Sequence, residues 1–314
     1  MITCYKTDAQ GLIHPIDHPV KGCWINVTAP TIEEKETLLT EFHIVPEFLR
    51  ASLDEEESSY IDRDEEARQT LVIVDYPEVD QEDSLRIQSF ITMPIGILFS
   101  DQYIFTICTR ENSTIKAMKE GKVKGLDTRY KTRFLLHLLL LISQEYLSDL
   151  RLIERLSEQT ETKLYKRMRN QELIDMLVLD KSLVYFSTSL KAEQLTIERL
   201  RRGREIPMYD ADRELLDDVN IEIKQAVEMC EIYSDILSRT SDGFTNVINN
   251  NMNDVMKRLT VLTLVLSIPN MVYGFYGMNV AGLPLPYCWF PAILSLVIAL
   301  SVWCYLKHNS GYRS

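Results

Sequence analysis

Apolar and polar residues alternate in short runs along the first third of the chain, and then the rhythm changes. The segments CWINV (Cys23–Val27), TLVIVDYP (Thr70–Pro77) and IGILFSDQYIFTICT (Ile95–Thr109) are rich in β-forming residues, and turn residues and helical stretches separate them. That order predicts an α/β or α+β domain. Ser100-Asp101-Gln102, set between two apolar runs, predicts a hairpin turn. From about Thr128 the β signals stop. Two long helices are predicted, about Arg129–Arg169 and Gln171–Arg202, with a break where Gly203 and Pro207 interrupt the pattern. The run Phe134–Ile142 is intensely apolar, but about nine residues are too few to cross a bilayer, so it predicts a buried helix face.

After Pro207 the helical pattern resumes and meets no stop until Gly277. At 1.5 Å per residue such a helix approaches roughly 100 Å, more than a globular domain requires. It leads into a stretch of different solvent preference: between Leu259 and Leu306 there is no Asp, Glu, Lys or Arg. Two apolar segments lie in it, Leu259–Tyr276 and Tyr287–Leu306, of about 18 and about 20 residues, each long enough to span a membrane. Lys257, Arg258 and Lys307 flank the two spans, and the loop 280–286 has no basic residue, which predicts a multi-pass cell-membrane protein with both termini in the cytosol. Tyr273, Phe275, Tyr276, Tyr287, Trp289 and Phe290 mark the outer interface, Trp303 and Tyr305 the inner one. The expected division is an α+β cytosolic domain over 1–128, long cytosolic helices and a stalk over 129–258, a transmembrane domain over 259–306 with spans of about 259–279 and 287–306, and a cytosolic tail over 307–314. Met1–Gly22 is polar and interrupted by Asp, His and Pro, unlike a secretory signal.

Composition sharpens this division. The formal charge is -12, and Lys307 and Arg313 belong to the tail, so residues 1–258 carry -14. Nucleic acid is excluded as a partner, since phosphate attraction needs a basic face. Six scattered cysteines form no CxxC pair, and five histidines show no HxxxH or HExxH spacing. The run Asp54-Glu55-Glu56-Glu57, with Asp62, Asp64, Glu65 and Glu66, reads as a solvated helix face or a cation reservoir. No catalytic constellation and no GxxxxGK[ST] loop is present, which argues against an enzyme and fits a passive conduit.

The candidate chemistry lies along the long helix. Asp242, Asn246, Asn249, Asn253, Met256, Thr260, Thr263, Ser267, Asn270, Gly274 and Gly277 follow one another in steps of four and three. A mean step of 3.5 holds them on one face of a gently supercoiled helix. Small and hydroxyl residues suit a packing seam between membrane helices. Asn270 and the Asn-rich continuation into the cytosol favour a water-filled pore. Two spans cannot enclose a pore, so that reading requires a homo-oligomer with this helix innermost. Magnesium gives up its waters reluctantly, and neutral amide oxygens can recognise the hydrated ion without holding it too tightly. A negative membrane potential favours inward movement of a divalent ion by roughly 4.6 kcal/mol per 100 mV.

The first span closes on Tyr276-Gly277-Met278-Asn279, and a short loop and a second span follow it near the C-terminus. With an acidic cytosolic domain and a long charged helix before it, this arrangement resembles the CorA family of magnesium channels and transporters, whose mark is Gly-Met-Asn at this place. The likeness extends to Ser52–Pro77 and Pro94–Asn112. It implies a homopentamer in membrane lipid with the first span innermost. It further implies hydrated magnesium bound by Asn279, a loop geometry held by Gly277 and Met278, and pore-facing positions down the helix that agree with the stripe. Ungapped matching back from Gly277 places Asp218, with Asp217 beside it, where family members bind a regulatory cytosolic magnesium ion between subunits. The loop VAGLPLP carries no acid, unlike that of many members, and slightly resembles the zinc-transporting ZntB branch. Zinc, cobalt or nickel are thus alternative ions, and a non-conducting membrane-anchored interaction or sensor protein is the reading from another class.

Overall fold

The computed structural model describes residues 1–80, 86–167, 170–203, 206–278, 287 and 289–309. The chain divides into two compact units, Met1–Ser241 and Asp242–Ser314.

The first unit is built on a seven-stranded sheet: β1 (Ile2–Thr7), β2 (Ile13–Ile16), β3 (Trp24–Thr28), β4 (Tyr60–Asp64), β5 (Gln69–Val79), β6 (Phe90–Phe99) and β7 (Ile104–Cys108), in the order β2-β1-β3-β7-β6-β5-β4. All neighbours are antiparallel except β3 and β7, which run parallel. The three β-rich runs of the sequence are the four central strands of this sheet. The turn at Ser100 is a hairpin, closed by a bond of 3.1 Å from the Ser100 amide to the Tyr103 carbonyl. β1, β2 and β4 were not singled out from the sequence. They lie toward the edges and are only partly buried, so their alternation is weak; Pro15 sits on edge strand β2, where a missing amide donor does no harm.

One face of the sheet is covered by α1 (Ile32–Thr40) and α2 (Pro46–Ala51), whose Leu38, Phe48 and Leu49 pack with Ile25, Val27, Leu71, Ile73 and Phe105. Thr31 and Glu34 form a capping box that starts α1. A short helix, α3 (Ser113–Lys119), follows β7, and three long ones complete the chain order of this unit: α4 (Lys131–Arg167), α5 (Asn170–Arg201) and α6 (Asp210–Tyr276). They match the predicted helices closely, with the break before α6 where Gly203 and Pro207 fall. Phe134, Leu135, Leu136, Leu138, Leu139 and Ile142 are buried, as the apolar run required, and Phe134 meets Trp24 with ring centroids 5.1 Å apart. The Trp24 indole donates to Thr106 Oγ1 at 2.7 Å, satisfying the one polar atom it brings into the core.

The acidic run 54–57 departs from expectation. It is a turn between α2 and β4 and not a helix face, because α2 ends at Ala51 and the chain must reverse into the sheet edge. It is solvated as expected, and Glu55 lies 3.7 Å from Arg110.

In the second unit α6 continues to Tyr276, with Pro269 inside it, and α7 (Phe290–Asn309) follows. Among the described residues α6 is long and apolar enough to cross a membrane, and α7 holds a shorter apolar run, Phe290–Leu306. The architecture is thus an α+β domain, long helices and a pair of C-terminal apolar helical segments.

Candidate functional site

The question left by the sequence is which way the small and polar stripe of α6 faces. Within the second unit, the partly buried positions of the apolar part of α6 are Val261, Val265, Ile268, Pro269, Val272 and Tyr276. On α7 Pro291 and Ser295 are buried, and Phe290, Leu294, Ala299, Val302 and Leu306 are partly buried. These two sets are the seam between the helices, closed at one end by the Tyr276 and Phe290 rings, 6.1 Å apart. The stripe is elsewhere. Ser267 follows Val265 by two residues, which is about 200° around the helix, and Asn270, Thr263 and Gly274 cluster around the same direction. Every stripe position, Asp242, Asn246, Asn249, Asn253, Met256, Thr260, Thr263, Ser267, Asn270, Gly274 and Gly277, is exposed in the single chain. From Thr263 to Gly274 the stripe therefore lies outside the seam between this chain's own two apolar helices, while Asn253, Met256 and Thr260 line a cavity that Leu306 of α7 also borders.

The hydroxyls on that face are tethered. Thr260 donates to the Met256 carbonyl at 2.9 Å, Thr263 to Leu259 at 2.8 Å and Ser267 to Thr263 at 2.7 Å. Each proton is thus taken by the helix itself, and the oxygen lone pairs point outward as acceptors. Such a face can accept hydrogen bonds from water, including the shell of a hydrated cation, and presents no fixed charge through the apolar segment.

At the end of α6 the Gly277 amide donates to the Tyr273 carbonyl at 2.8 Å. A β-carbon on residue 277 would stand 3.1 Å from that carbonyl oxygen, tighter than ordinary contact, so glycine lets the chain leave the helix there. Met278 follows and is exposed. Asn279 and the loop 280–286 lie outside the described residues. Beside this end the rings of Tyr287 and Trp289 stack 5.9 Å apart, Trp289 packs edge-on to Phe290, and Phe290 meets Tyr276, which packs against Phe275, so five of the aromatics assigned to the outer interface form a continuous group.

In the first unit the two suspected sensor acids part company. Asp217 Oδ1 lies 3.7 Å from Arg201 of α5. Asp218 is exposed, and no ion pair to it occurs among the described residues.

Two further acids escaped the sequence reading. Asp75 of β5 and Glu193 of α5 are buried, Glu193 completely, and neither Glu193 carboxyl oxygen has a hydrogen-bond partner. Burial holds the Glu193 carboxyl well above the usual range, and the nearby Asp75 adds to this. Asp75 is pushed up to about 6 by burial, against hydrogen bonds from Ser189 and Ser59. A signal existed for Asp75, the one charged residue inside the apolar run TLVIVDYP; Glu193 on a charged helix carried none.

Comparison with known proteins fits this geometry. Residues 21–308 match the family described as CorA-like Mg2+ transporter protein. The chain is 28% identical, over 301 residues covering 92% of it and 90% of the relative, to the cobalt/magnesium transport protein CorA of Methanocaldococcus jannaschii. The complete structure of the CorA magnesium transporter from the same organism superposes with a TM-score of 0.80 at 24% identity, covering 99% of this chain and 98% of that one. The ZntB cytoplasmic domain of Vibrio parahaemolyticus superposes with a TM-score of 0.62 at 11% identity over 79% of this chain and 98% of its own, a likeness of fold alone. With a family match running from just before β3 through nearly all of α7, and an uncharged polar face on the apolar part of α6, the chain belongs to the CorA-like Mg2+ transporter family, membrane transporters of divalent cations and not enzymes.

Proposed function

We propose that this chain is one subunit of a homopentameric conduit through which hydrated magnesium moves passively into the cell, driven by the membrane potential. Two helices cross the membrane with both termini cytosolic, α6 lines the pore, and α7 surrounds it in contact with lipid. The observation that carries this reading is the exposure of the α6 stripe in the single chain, with Thr263, Ser267, Asn270 and Gly274 on the side opposite the partly buried positions of the helix. In a lone subunit that face would meet lipid, where the Asn270 amide finds no partner. Around an axis it meets water and other copies of itself. Asn279, beyond the close turn at Gly277, holds the hydrated ion at the outer mouth through a short amide with both donor and acceptor atoms.

Cobalt is a second cargo consistent with the name of the relative from Methanocaldococcus jannaschii. Feedback from cytosolic magnesium acts through Asp218, since Asp217 already has Arg201 as a neighbour. Residues 1–258 carry -14 per subunit, so copies packed about an axis repel one another until divalent ions seat between them and favour the closed form.

Purified protein in liposomes under an inside-negative potential tests the reading. Magnesium influx by wild type is expected, with loss of influx in Asn279→Ala at unchanged oligomer mass in mild detergent. Normal influx by that variant, or flux carried by a monomer, overturns it.

A further inference from the structure

Asp75 and Glu193 lie far apart in the chain, and the fold brings them together in the interior of the first unit. Asp75 pairs with Pro94 across β5 and β6, and Pro77 with Thr92, so Asp75 and Thr92 project from the same face of the sheet. Ser189 of α5 sits over both: its hydroxyl bonds Thr92 Oγ1 at 2.9 Å, and it also hydrogen-bonds the Asp75 carboxyl. Glu193 is one helical turn beyond Ser189, on the same side of α5. The lid over this point is aromatic and dry. Phe186, one turn the other way, is flanked by Phe90 at 5.8 Å and Tyr146 at 5.1 Å, and the Tyr146 hydroxyl donates to the Asp75 carbonyl at 3.2 Å.

Asp75 Oδ1 and both oxygens of Glu193 are buried without a hydrogen-bond partner. Two bare carboxylates buried in one interior are not tolerable; they must take up protons or meet a positive charge. Magnesium takes six oxygen ligands at near-ideal octahedral geometry and keeps several waters. Here the pair has no third acidic, histidine or cysteine ligand beside it: among the described residues no group of three or more such side chains could hold a metal ion. A proton needs only one carboxyl oxygen. We infer that Asp75 and Glu193 form a buried proton-binding pair that is neutral or singly charged when α5 is seated on the sheet, so that the packing of the cytosolic unit responds to pH.

The groups facing the pair from every neighbouring element are few. Tyr146 of α4 is held well above its usual value by burial and stays neutral. Cys230 of α6 is pushed up to about 12 by burial and donates to the Leu183 carbonyl, so it too stays neutral. Ser189, Thr92 and Ser59 do not titrate, and Glu57 ahead of β4 opposes ionisation of Asp75. The pair is therefore what ionises here as pH rises. Both folded-state values lie above those of an exposed carboxyl, so the folded chain binds protons that the unfolded chain has released. Their contribution to stability is complete at acid pH and is lost as pH rises through the folded values.

The test uses the full-length protein in detergent, followed by thermal unfolding from acid to alkaline pH and by infrared spectroscopy of protonated carboxyl groups. Wild type should lose stability through the neutral range, up to about ten-fold in the folding constant per pH unit for each proton released. Glu193→Gln, which cannot ionise, should flatten that slope, and Asp75→Asn gives the same comparison if the first variant folds poorly. At neutral pH wild type should show a buried protonated carboxyl band that Glu193→Gln lacks. Equal pH slopes in wild type and variants, or the absence of such a band from wild type, overturns the inference. So does recovery of stability at alkaline pH on adding magnesium to wild type but not to Glu193→Gln, which would make the occupant a divalent cation.

Discussion

Replacing Ser267 by leucine separates a pore-facing stripe from a lipid-facing one more sharply than any other single change. Ser267 is exposed on α6 about 200° around from the α7 seam, and its hydroxyl is tied only to its own helix, at the Thr263 carbonyl. That carbonyl keeps its main-chain partner when the hydroxyl goes, so folding should suffer little. If the face meets lipid, leucine is favoured there, itself adding about 0.3–0.6 kcal/mol to insertion at mid-membrane, and transport should be unchanged. If it faces water around an axis, each subunit loses an acceptor for the hydration shell, worth about 0.5–1.5 kcal/mol. In the proposed pentamer five copies then raise the barrier by at least about 2.5 kcal/mol, nearly a hundred-fold in rate, before the added apolar bulk is considered. The assay is magnesium-dye influx into proteoliposomes at fixed potential, with Leu266→Ala as control, since Leu266 is 59% exposed beside the stripe and should tolerate truncation with full flux. Wild-type influx by Ser267→Leu, at equal oligomer content, would refute a pore lined by this face.

Two further outcomes follow from single residues. Asp218→Asn should leave magnesium influx running at internal magnesium levels that silence wild type, read as flux against internal magnesium, whereas superimposable inhibition curves would remove Asp218 from the sensor. Gly96→Ala should destabilise the cytosolic unit by about 1–3 kcal/mol, because the new β-carbon would overlap Ser52 Oγ and Cβ and stand 3.3 Å from Ser52 Cα; Ser52→Gly should recover part of the loss in thermal unfolding, and an unshifted midpoint in Gly96→Ala would show that α2 yields freely.

What the sequence by itself determined is whatever depends on near neighbours along the chain. A block from Leu259 to Leu306 without ionised residues, a helical rhythm sustained from beyond Pro207 to Gly277, and Tyr276-Gly277-Met278-Asn279 after it are local patterns, because solvent preference and helix periodicity are set within a few turns. The central strands were legible for the same reason: β5 and β7 are buried on both faces and read as apolar runs, broken in β5 by Asp75 and in β7 by Thr106. Edge strands β1, β2 and β4 were not, since half-exposed strands follow their pairing partners more than their own composition. Only the tertiary structure decided which face of α6 is covered by α7, that the acidic run 54–57 is a turn, and that Asp217 leans on Arg201 while Asp218 stays open. It alone brought Asp75 to Glu193. Desolvation and charge act through space, and the register of β5 on β6 and the seating of α5 set those distances, not the spacing of letters.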